Sequence, residues 1–168
     1  VIVETSLFIT GEETSTYAAN FAVITQNQTA DLDKHRLFWI KSGQLVLSFV
    51  NLTGGKVEET CSSPGVLPHY GDCAGGLVYI TDGGILNTTF TVLEHGRACL
   101  GGGIAIVGTT IVGKLWIGNQ SILSNNFAAY DGGAVYTNTR GSVQVVGSLL
   151  VNNTAQGFGG GVYGQRDN

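Results

Sequence analysis

The chain has 168 residues, about the length of one domain, with 26 Gly, a net charge of -4 and only 12% charged residues, against roughly 25% in an average soluble domain. This composition argues against a helical protein and favours a sheet-rich one, in which Gly forms tight turns at positive φ. It also excludes a nucleic-acid partner, since the 8 Lys and Arg are scattered and phosphate binding needs them clustered, and no apolar run reaches the ~20 residues of a membrane span.

Residues 1–36 are predicted to form irregular first layers, where a layer is one copy of a repeating structural unit. Residues 7–9 and 21–24 are apolar runs of strand length, separated by polar stretches. The chain begins at Val1 and contains no Met, so we expect a processed product or an excised piece of a longer one.

The first complete layer begins at Leu37. Its apolar residues 37–40 are followed by a turn at 41–43, and Leu45 and Leu47 then alternate with their neighbours. Alternation with a period of two predicts a half-buried strand. Phe49 is predicted to close the layer.

An inserted loop is predicted at residues 56–73. The interval between Phe49 and the next Gly pair is far longer than the matching intervals later in the chain, and it contains both prolines. Insertions of this kind bulge from a repeat and are common places for function. A binding role for the loop and no role at all are both left open.

The three cysteines cannot all pair within the chain. Cys61 and Cys73 bracket the inserted loop, whereas Cys73 and Cys99 each lie two residues before a Gly pair and so belong to neighbouring layers. Both pairings are geometrically conceivable. We predict a Cys61–Cys73 disulfide, because it would close a loop that lacks other structure, and keep Cys73–Cys99 as the alternative.

Four Gly pairs mark the repeat. They start at Gly75, Gly101, Gly132 and Gly159, which are 26, 31 and 27 residues apart. Self-similarity at roughly 20–50 residues is the signature of a stacked repeat fold. Since one layer cannot bury its apolar face alone, the layers must stack. The sequence therefore predicts an all-β parallel solenoid that forms a single domain over residues 1–168.

Stacking the layers aligns like residues in columns. Because successive strand residues face opposite sides of a sheet, a column that is apolar throughout is predicted to point inward and its neighbour outward. The first inward column is Phe38, Val78, Ile104, Val135 and Val162. The outward column is predicted to be an aromatic contact stripe of Trp39, Tyr79, Tyr136 and Tyr163, interrupted by Ala105. Such a stripe can hold sugar rings or a partner protein. The alternative is that turns and glycans cover these rings or that the rings only stiffen the sheet. A second inward column is predicted to be Phe49, Phe90, Leu123 and Leu150.

Two asparagines follow that second inward column at equal distances. Asn126 and Asn153 lie three residues after Leu123 and Leu150, and stacked Asn side chains can form a hydrogen-bond ladder at a turn. Asn51 and Asn152 are assigned to a neighbouring column, which is predicted to face solvent and to carry glycan.

Asn-x-Ser/Thr, the acceptor sequence for N-glycosylation, occurs five times. Such sequences imply surface positions in a secreted protein, and the alternative is coincidence in a Thr-rich chain. The predicted glycan carriers are Asn27, Asn51, Asn87, Asn119 and Asn152. We therefore expect an extracellular or cell-surface glycoprotein.

The pairing of Gly-Gly-x-β-branched with Asn motifs resembles the repeats of chlamydial polymorphic outer-membrane proteins, which carry Gly-Gly-Ala-Ile and Phe-x-x-Asn. The motifs that match are at residues 123–126 with 132–135 and at 150–153 with 159–162, where Leu replaces Phe. The resemblance covers residues 75–168, and 37–55 more loosely. It implies a right-handed parallel β-helix of about five to six layers with one loop insertion, and it implies a surface location rather than a chemistry.

The sequence offers no catalytic or metal-binding constellation. No two acidic residues share a column in adjacent layers, no histidines have a ligand-pair spacing, and the cysteines form no Cys-x-x-Cys. Gly101–Gly103 lacks the Lys-Ser/Thr and the helix of a phosphate loop. We therefore expect no enzyme activity and no cofactor.

The predicted function is structural or adhesive. A solenoid without a visible cap exposes a sheet edge that invites pairing, so the expected partners are copies of itself end to end, as in a surface filament, or the rest of a longer chain. The alternative is a carbohydrate-binding or polysaccharide-degrading β-helix. A third possibility, an ice-binding solenoid, is disfavoured because the outward Thr residues are irregularly spaced.

Overall fold

The computed structural model describes residues 1–11, 22–25, 35–57, 61 and 73–165. The protein is all-β, with 55% strand and 1% helix. The strands in chain order are β1 (Ile2–Val3), β2 (Leu7–Thr10), β3 (Ala22–Thr25), β4 (Phe38–Ile40), β5 (Gln44–Ser48), β6 (Val50–Thr53), β7 (Lys56–Val57), β8 (Val78–Thr81), β9 (Ile85–Thr89), β10 (Val92–Glu94), β11 (Arg97–Ala98), β12 (Ile104–Val107), β13 (Gly113–Gly118), β14 (Ile122–Ser124), β15 (Phe127–Ala128), β16 (Val135–Thr137), β17 (Gly141–Val146), β18 (Leu149–Val151), β19 (Thr154–Ala155) and β20 (Val162–Gly164).

These strands form four parallel sheets. Sheet 1 has the order β1-β4-β8-β12-β16-β20, sheet 2 is β2-β5-β9-β13-β17, sheet 3 is β3-β6-β10-β14-β18 and sheet 4 is β7-β11-β15-β19. The chain passes through the sheets in this order again and again, and each passage lies beside the one before it. One passage is therefore the layer that the sequence repeat predicts.

The register confirms the first two predicted columns. Phe38, Val78, Ile104, Val135 and Val162 lie side by side in sheet 1. Their neighbours Trp39, Tyr79, Ala105, Tyr136 and Tyr163 form the adjacent column. The first column lines the main core, which is continuous through the layers. Its last member, Val162, is partly exposed.

In its early layers, the second inward column lies three residues later in the chain than predicted. Leu123 and Leu150 align with Leu52 and Leu93 in sheet 3, and not with phenylalanines. Phe49 and Phe90 instead occupy the corner between sheets 2 and 3, at φ values of 54° and 48°, and their rings stack with centroids 4.9 Å apart. An apolar residue before sheet 3 thus belongs to the corner and not to the core.

The Gly pairs have two separate causes. Gly101 and Gly132, each the first of its pair, have φ values of 61° and 71°, which L residues rarely adopt. A Cβ on the following Gly102 would lie 2.3 Å from the carbonyl oxygen of Phe127 and 2.5 Å from that of Gly133, both in the next layer. The first glycine therefore allows the turn, and the second allows the layers to approach each other.

The predicted asparagine ladder is present at the corner between sheets 3 and 4. Asn126 Nδ2 donates to the carbonyl of Leu93 at 3.1 Å and to Asn153 Oδ1 at 2.9 Å. Asn153 Nδ2 donates in the same way to the carbonyl of Leu123 at 2.9 Å. Gly96 holds this position one layer earlier, and its N–H donates to Asn126 Oδ1 at 2.9 Å. The ladder provides hydrogen-bond partners for polar groups that would otherwise be buried at this corner without them.

The segment predicted to be an inserted loop begins in regular structure. Lys56 and Val57 form β7 and pair with Arg97 and Ala98, so this part of residues 56–73 belongs to sheet 4. Residues 58–60 and 62–72 lie outside the described part of the chain. In the first layer, β1, β2 and β3 pair in register with β4, β5 and β6.

Candidate functional site: the outer faces of sheets 1 and 2

The predicted aromatic stripe lies on the outer side of sheet 1, where Trp39 and Tyr163 are half-buried and the two tyrosines between them are covered. Tyr79 is only 4% exposed and Tyr136 only 1%. Both belong to a second apolar cluster outside the main core, together with Ala74 and Leu100. The prediction of an exposed stripe is therefore wrong for these two tyrosines.

The cover comes from the segments that lead from sheet 4 back to sheet 1. Ala74 and Leu100 lie just before their Gly pairs and form a parallel bridge. Because the chain must cross the outside of sheet 1 before it enters that sheet, residues at this point pack over the aromatic column. Tyr130 occupies the same segment in the following layer and packs against the same cluster.

Cations cover the remaining faces of the stripe in its first two layers. The Arg36 guanidinium lies 4.7 Å from the ring centroid of Tyr79 and 5.7 Å from that of Trp39. Lys41 Nζ lies 4.7 Å from the Trp39 centroid and 3.6 Å from Glu4. Cation–π contacts of this kind stabilise the packing, and they occupy the ring faces on which a sugar would stack.

The outer face of sheet 2 is more open. A register column there consists of Phe8, Val46, Asn87, Trp116 and Gln144. Phe8 is 65% exposed, and Trp116 is half-buried. No segment comparable to the Ala74–Leu100 bridge covers this column within the described residues.

The indole of Trp116 lies over the backbone of Gly118. A Cβ on Gly118 would come within 2.2 Å of Cη2 and 2.3 Å of Cζ2 of that ring, so any side chain there would displace the indole. The sequence analysis did not single out Trp116. Its signal was the alternation of residues 115–118, in which buried Leu115 and Ile117 flank an outward aromatic two residues before a Gly.

The acceptor asparagines occupy different environments. Asn119 and Asn152 are exposed corner residues with φ values of 48° and 53°. Asn87 is half-buried on the outer face of sheet 2, and Asn51 is half-buried on sheet 3. Asn27 lies outside the described residues. Among the four acceptor asparagines that the structure describes, Asn119 and Asn152 are therefore exposed corner residues.

Asn51 does not share a column with Asn152. It pairs with Val92, and the same column continues through Ile122 and Leu149. Its Nδ2 donates to Glu94 at 3.0 Å, and its Oδ1 is buried without a hydrogen-bond partner. A glycan on Asn51 would disturb this contact, so the predicted common glycan column is wrong.

The disulfide joins Cys61 to Cys99, and the predicted Cys61–Cys73 bond is wrong. The Cα atoms of the pair are 5.6 Å apart across a sequence separation of 38. Cys73 is buried and neighbours Cys99, whose N–H donates to the Cys73 carbonyl at 2.8 Å. The hydroxyl of Tyr130 donates to the Cys61 carbonyl at 2.8 Å. Cys61 is thus joined to the next layer by the disulfide and to the layer after it by the hydrogen bond from Tyr130. It does not close its own loop through Cys73.

Two acidic residues of the regular layers, Asp82 and Asp131, serve as hydrogen-bond acceptors at turns. Asp82 Oδ1 accepts the hydroxyl of Thr109 at 2.6 Å and its N–H at 3.1 Å, as well as the N–H of Thr110 at 3.4 Å. The hydroxyl of Thr109 is the main cause that lowers the pKa of Asp82. Asp131 Oδ1 accepts the N–H of Phe158 at 2.7 Å. Both carboxylates link a turn to the next layer.

The described part of the chain contains no group of three His, Cys, Asp or Glu side chains that could hold a metal ion. Within the same residues, no helix is long and apolar enough to cross a membrane.

Comparison with family models, with curated proteins and with solved structures finds no match for this chain. The resemblance to outer-membrane-protein repeats is thus carried by the Gly-Gly and Asn motifs themselves. In the structure, these motifs have defined places: the Gly pairs lie before sheet 1, and Asn126 and Asn153 form the ladder before sheet 4.

Proposed function

We propose that the four sheets form a right-handed parallel β-helix and that the chain is a non-catalytic, secreted surface glycoprotein with a structural or adhesive role. Parallel strands joined through a crossover are right-handed in about 98% of cases, which supports the handedness. The Cys61–Cys99 bond supports an oxidising, extracellular compartment, because disulfides persist there. The family resemblance supports a surface location.

The observation that carries the role is the difference between the last strand of a sheet and the strand beside it. Ile117 and Val135 are fully buried, whereas Val145 and Val162 at the same inward positions are 37% and 43% exposed. Leu150, at the inward position of the last strand of sheet 3, is only partly buried, whereas its neighbour Leu123 is fully buried. Apolar residues beside unpaired strand edges form a template for further strands. We infer that another β-layer covers this end, from a second copy or from the rest of a longer chain.

A pair of charge substitutions tests this inference. Val162→Asp places a carboxylate at the inward edge of β20, whereas Ser142→Asp is the control on the outer side of β17, the last strand of sheet 2. We expect the wild-type chain and the control to form larger species with rising concentration in sedimentation velocity, and Val162→Asp to stay monomeric.

If the wild type is monomeric but binds an apolar dye, and Val162→Asp does not bind it, the covering layer would come from the rest of a longer chain. A wild type that neither associates nor binds the dye would refute the covered end, and with it the structural role.

The second candidate function is carbohydrate binding. Trp116 favours it, because an aromatic ring lying flat on an open sheet can stack against a sugar. A polysaccharide-degrading enzyme would need two carboxylates near the scissile bond, and Asp82 and Asp131 instead accept hydrogen bonds at separate turns. Soluble oligosaccharides that quench or protect Trp116 fluorescence would support binding, and product release from a polysaccharide would support the enzyme.

A further inference from the structure

The sequon at residues 87–89 lies directly beside the Trp116 ring. In the register between β9 and β13, Asn87 pairs with Trp116 and Thr89 pairs with Gly118. The indole covers Gly118, so the ring lies next to both the acceptor asparagine and the Thr of its sequon. Leu86 and Thr88 are buried, which places Asn87 and Thr89 on the outer face.

The neighbourhood of this sequon is partly apolar and partly polar. Val46 flanks Asn87 on the other side, and Gln144 follows Trp116 in the same column. The hydroxyls of Ser48 and Thr89 are 2.5 Å apart. A pyranose has one face of C–H groups and a rim of hydroxyls, so it fits a flat ring that has hydrogen-bonding groups at its edge.

The other described sequons lack this arrangement. Asn51 is engaged with Glu94, and Asn119 and Asn152 are exposed corner residues. Asn119 neighbours Phe90, whose N–H donates to the Asn119 carbonyl at 2.9 Å, but the Phe90 ring is stacked on Phe49. Asn87 thus combines an acceptor sequence with an adjacent indole face.

We propose that Asn87 carries an N-linked glycan whose first sugar rings pack on Trp116. This inference rests on the proposed secretion of the chain. The glycosyl donor is a polyprenyl-diphosphate oligosaccharide: the bond from sugar C1 to Asn87 Nδ2 forms, the bond from C1 to the diphosphate oxygen breaks, and the Nδ2 proton goes with the diphosphate. Because β9 is paired on both sides in the fold, the transfer precedes folding.

The sugar then takes the place that a covering segment takes on sheet 1. It shields Trp116 and the outer face of sheet 2 from other chains, because a glycan is bulky and hydrophilic. The exposed end of the stack stays available for association, as the proposed function requires.

The test uses the chain secreted from a glycosylating eukaryotic host, in a Trp39→Phe background that leaves Trp116 as the one tryptophan, since the chain has two. Mass spectrometry of intact glycopeptides gives the occupancy of each sequon. Acrylamide quenching and the emission maximum report how well the indole is shielded. We expect an occupied Asn87 and a shielded, blue-shifted emission.

Three variants isolate the sugar. Asn87→Gln removes the acceptor, and we expect a red shift and stronger quenching. Thr89→Ser keeps the sequon and should behave like the parent. Ser48→Ala removes the hydroxyl contact to Thr89 but keeps the sequon, so its indole should stay shielded.

Each other outcome overturns the proposal in a distinct way. An empty Asn87 with an occupied Asn119 or Asn152 rejects this inference alone, whereas empty sequons throughout, or failure of secretion, reject the proposed surface glycoprotein as well. An occupied Asn87 with unchanged quenching in Asn87→Gln rejects the packing. An empty Asn87 combined with protection of Trp116 by added di-N-acetylchitobiose would make the indole a site for outside sugars instead.

Discussion

The outer faces of sheets 1 and 2 follow the same alternation of residues, and yet one is covered and the other is open. Tyr136 on sheet 1 is 1% exposed, while Trp116 on sheet 2 is half-buried. The difference lies in the connections, because the segments entering sheet 1 cross its outer side and carry Ala74 and Leu100 over it. An outward-facing column in a stacked fold is therefore a surface only where no connection crosses it.

The largest expected effect comes from adding a side chain at Gly102, in the segment that leads over the outer side of sheet 1. Gly102→Ala adds a Cβ that meets backbone oxygens at 2.3 and 2.5 Å, and backbone in two layers cannot yield easily. We expect failure to fold or a loss of more than about 4 kcal/mol in unfolding free energy. Urea unfolding followed by circular dichroism measures it.

The control for this change is Gly147→Ala. Gly147 also has a positive φ of 57°, but a Cβ there would meet nothing within 4 Å. The substitution should lower the unfolding free energy only by the strain of a left-handed backbone in an L residue, about 1–2 kcal/mol. Equal losses in the two variants would show that the close approach of the layers at Gly102 adds nothing to the cost of the substitution.

The second prediction compares the two aromatic rings directly. Tyr136→Ala removes a buried ring that packs 6.0 Å from Tyr163 and donates its hydroxyl to Gln165, and should cost about 3–4 kcal/mol. Trp116→Ala on the open face should cost about 1 kcal/mol or less in chain made without glycan. Chemical denaturation of the two variants from a non-glycosylating host gives both values, and a larger loss for Trp116 would reverse the comparison.

The smallest expected effect concerns the corner that separates the two faces. Asp82 lies between sheets 1 and 2, and its pKa is lowered from 3.8 mainly by the hydroxyl of Thr109. A carboxyl with a lower pKa in the folded chain stabilises the fold above its unfolded pKa, and this contribution is lost as the pH falls through the folded pKa. Between pH 5 and pH 2, roughly the range around the pKa of Asp in an unfolded chain, the melting temperature of the wild type should therefore fall slightly more than that of Asp82→Asn.

If Asp82→Asn leaves the acid limb of the melting curve unchanged, the contact with Thr109 contributes nothing to the stability of this corner.

Of the candidate sites, the sequence located the sequons and the aromatic column, but it did not give their accessibility. Asn51 and Asn152 look alike as acceptor motifs, and only the register separates the sheet position from the exposed corner. The spacing of the cysteines did not identify the partner of Cys61, because that partner depends on whether the segment around Cys61 runs along the stack towards Cys99 or folds back towards Cys73. Trp116 was missed because the alternation of residues 115–118 indicates only that its side chain faces outward, and not that its ring lies over Gly118 on an open face.

The sequence by itself determined the layers, the core column and the Asn126–Asn153 ladder, because Gly pairs at positive φ and the alternation of apolar residues act within a few neighbouring residues. The tertiary structure alone decided that Phe49 and Phe90 form a corner, that Cys61 bonds Cys99, and which outer face stays open. These outcomes depend on how the connections of different layers lie against one another, and contacts between residues roughly 30 positions apart leave no pattern in any short stretch of the chain.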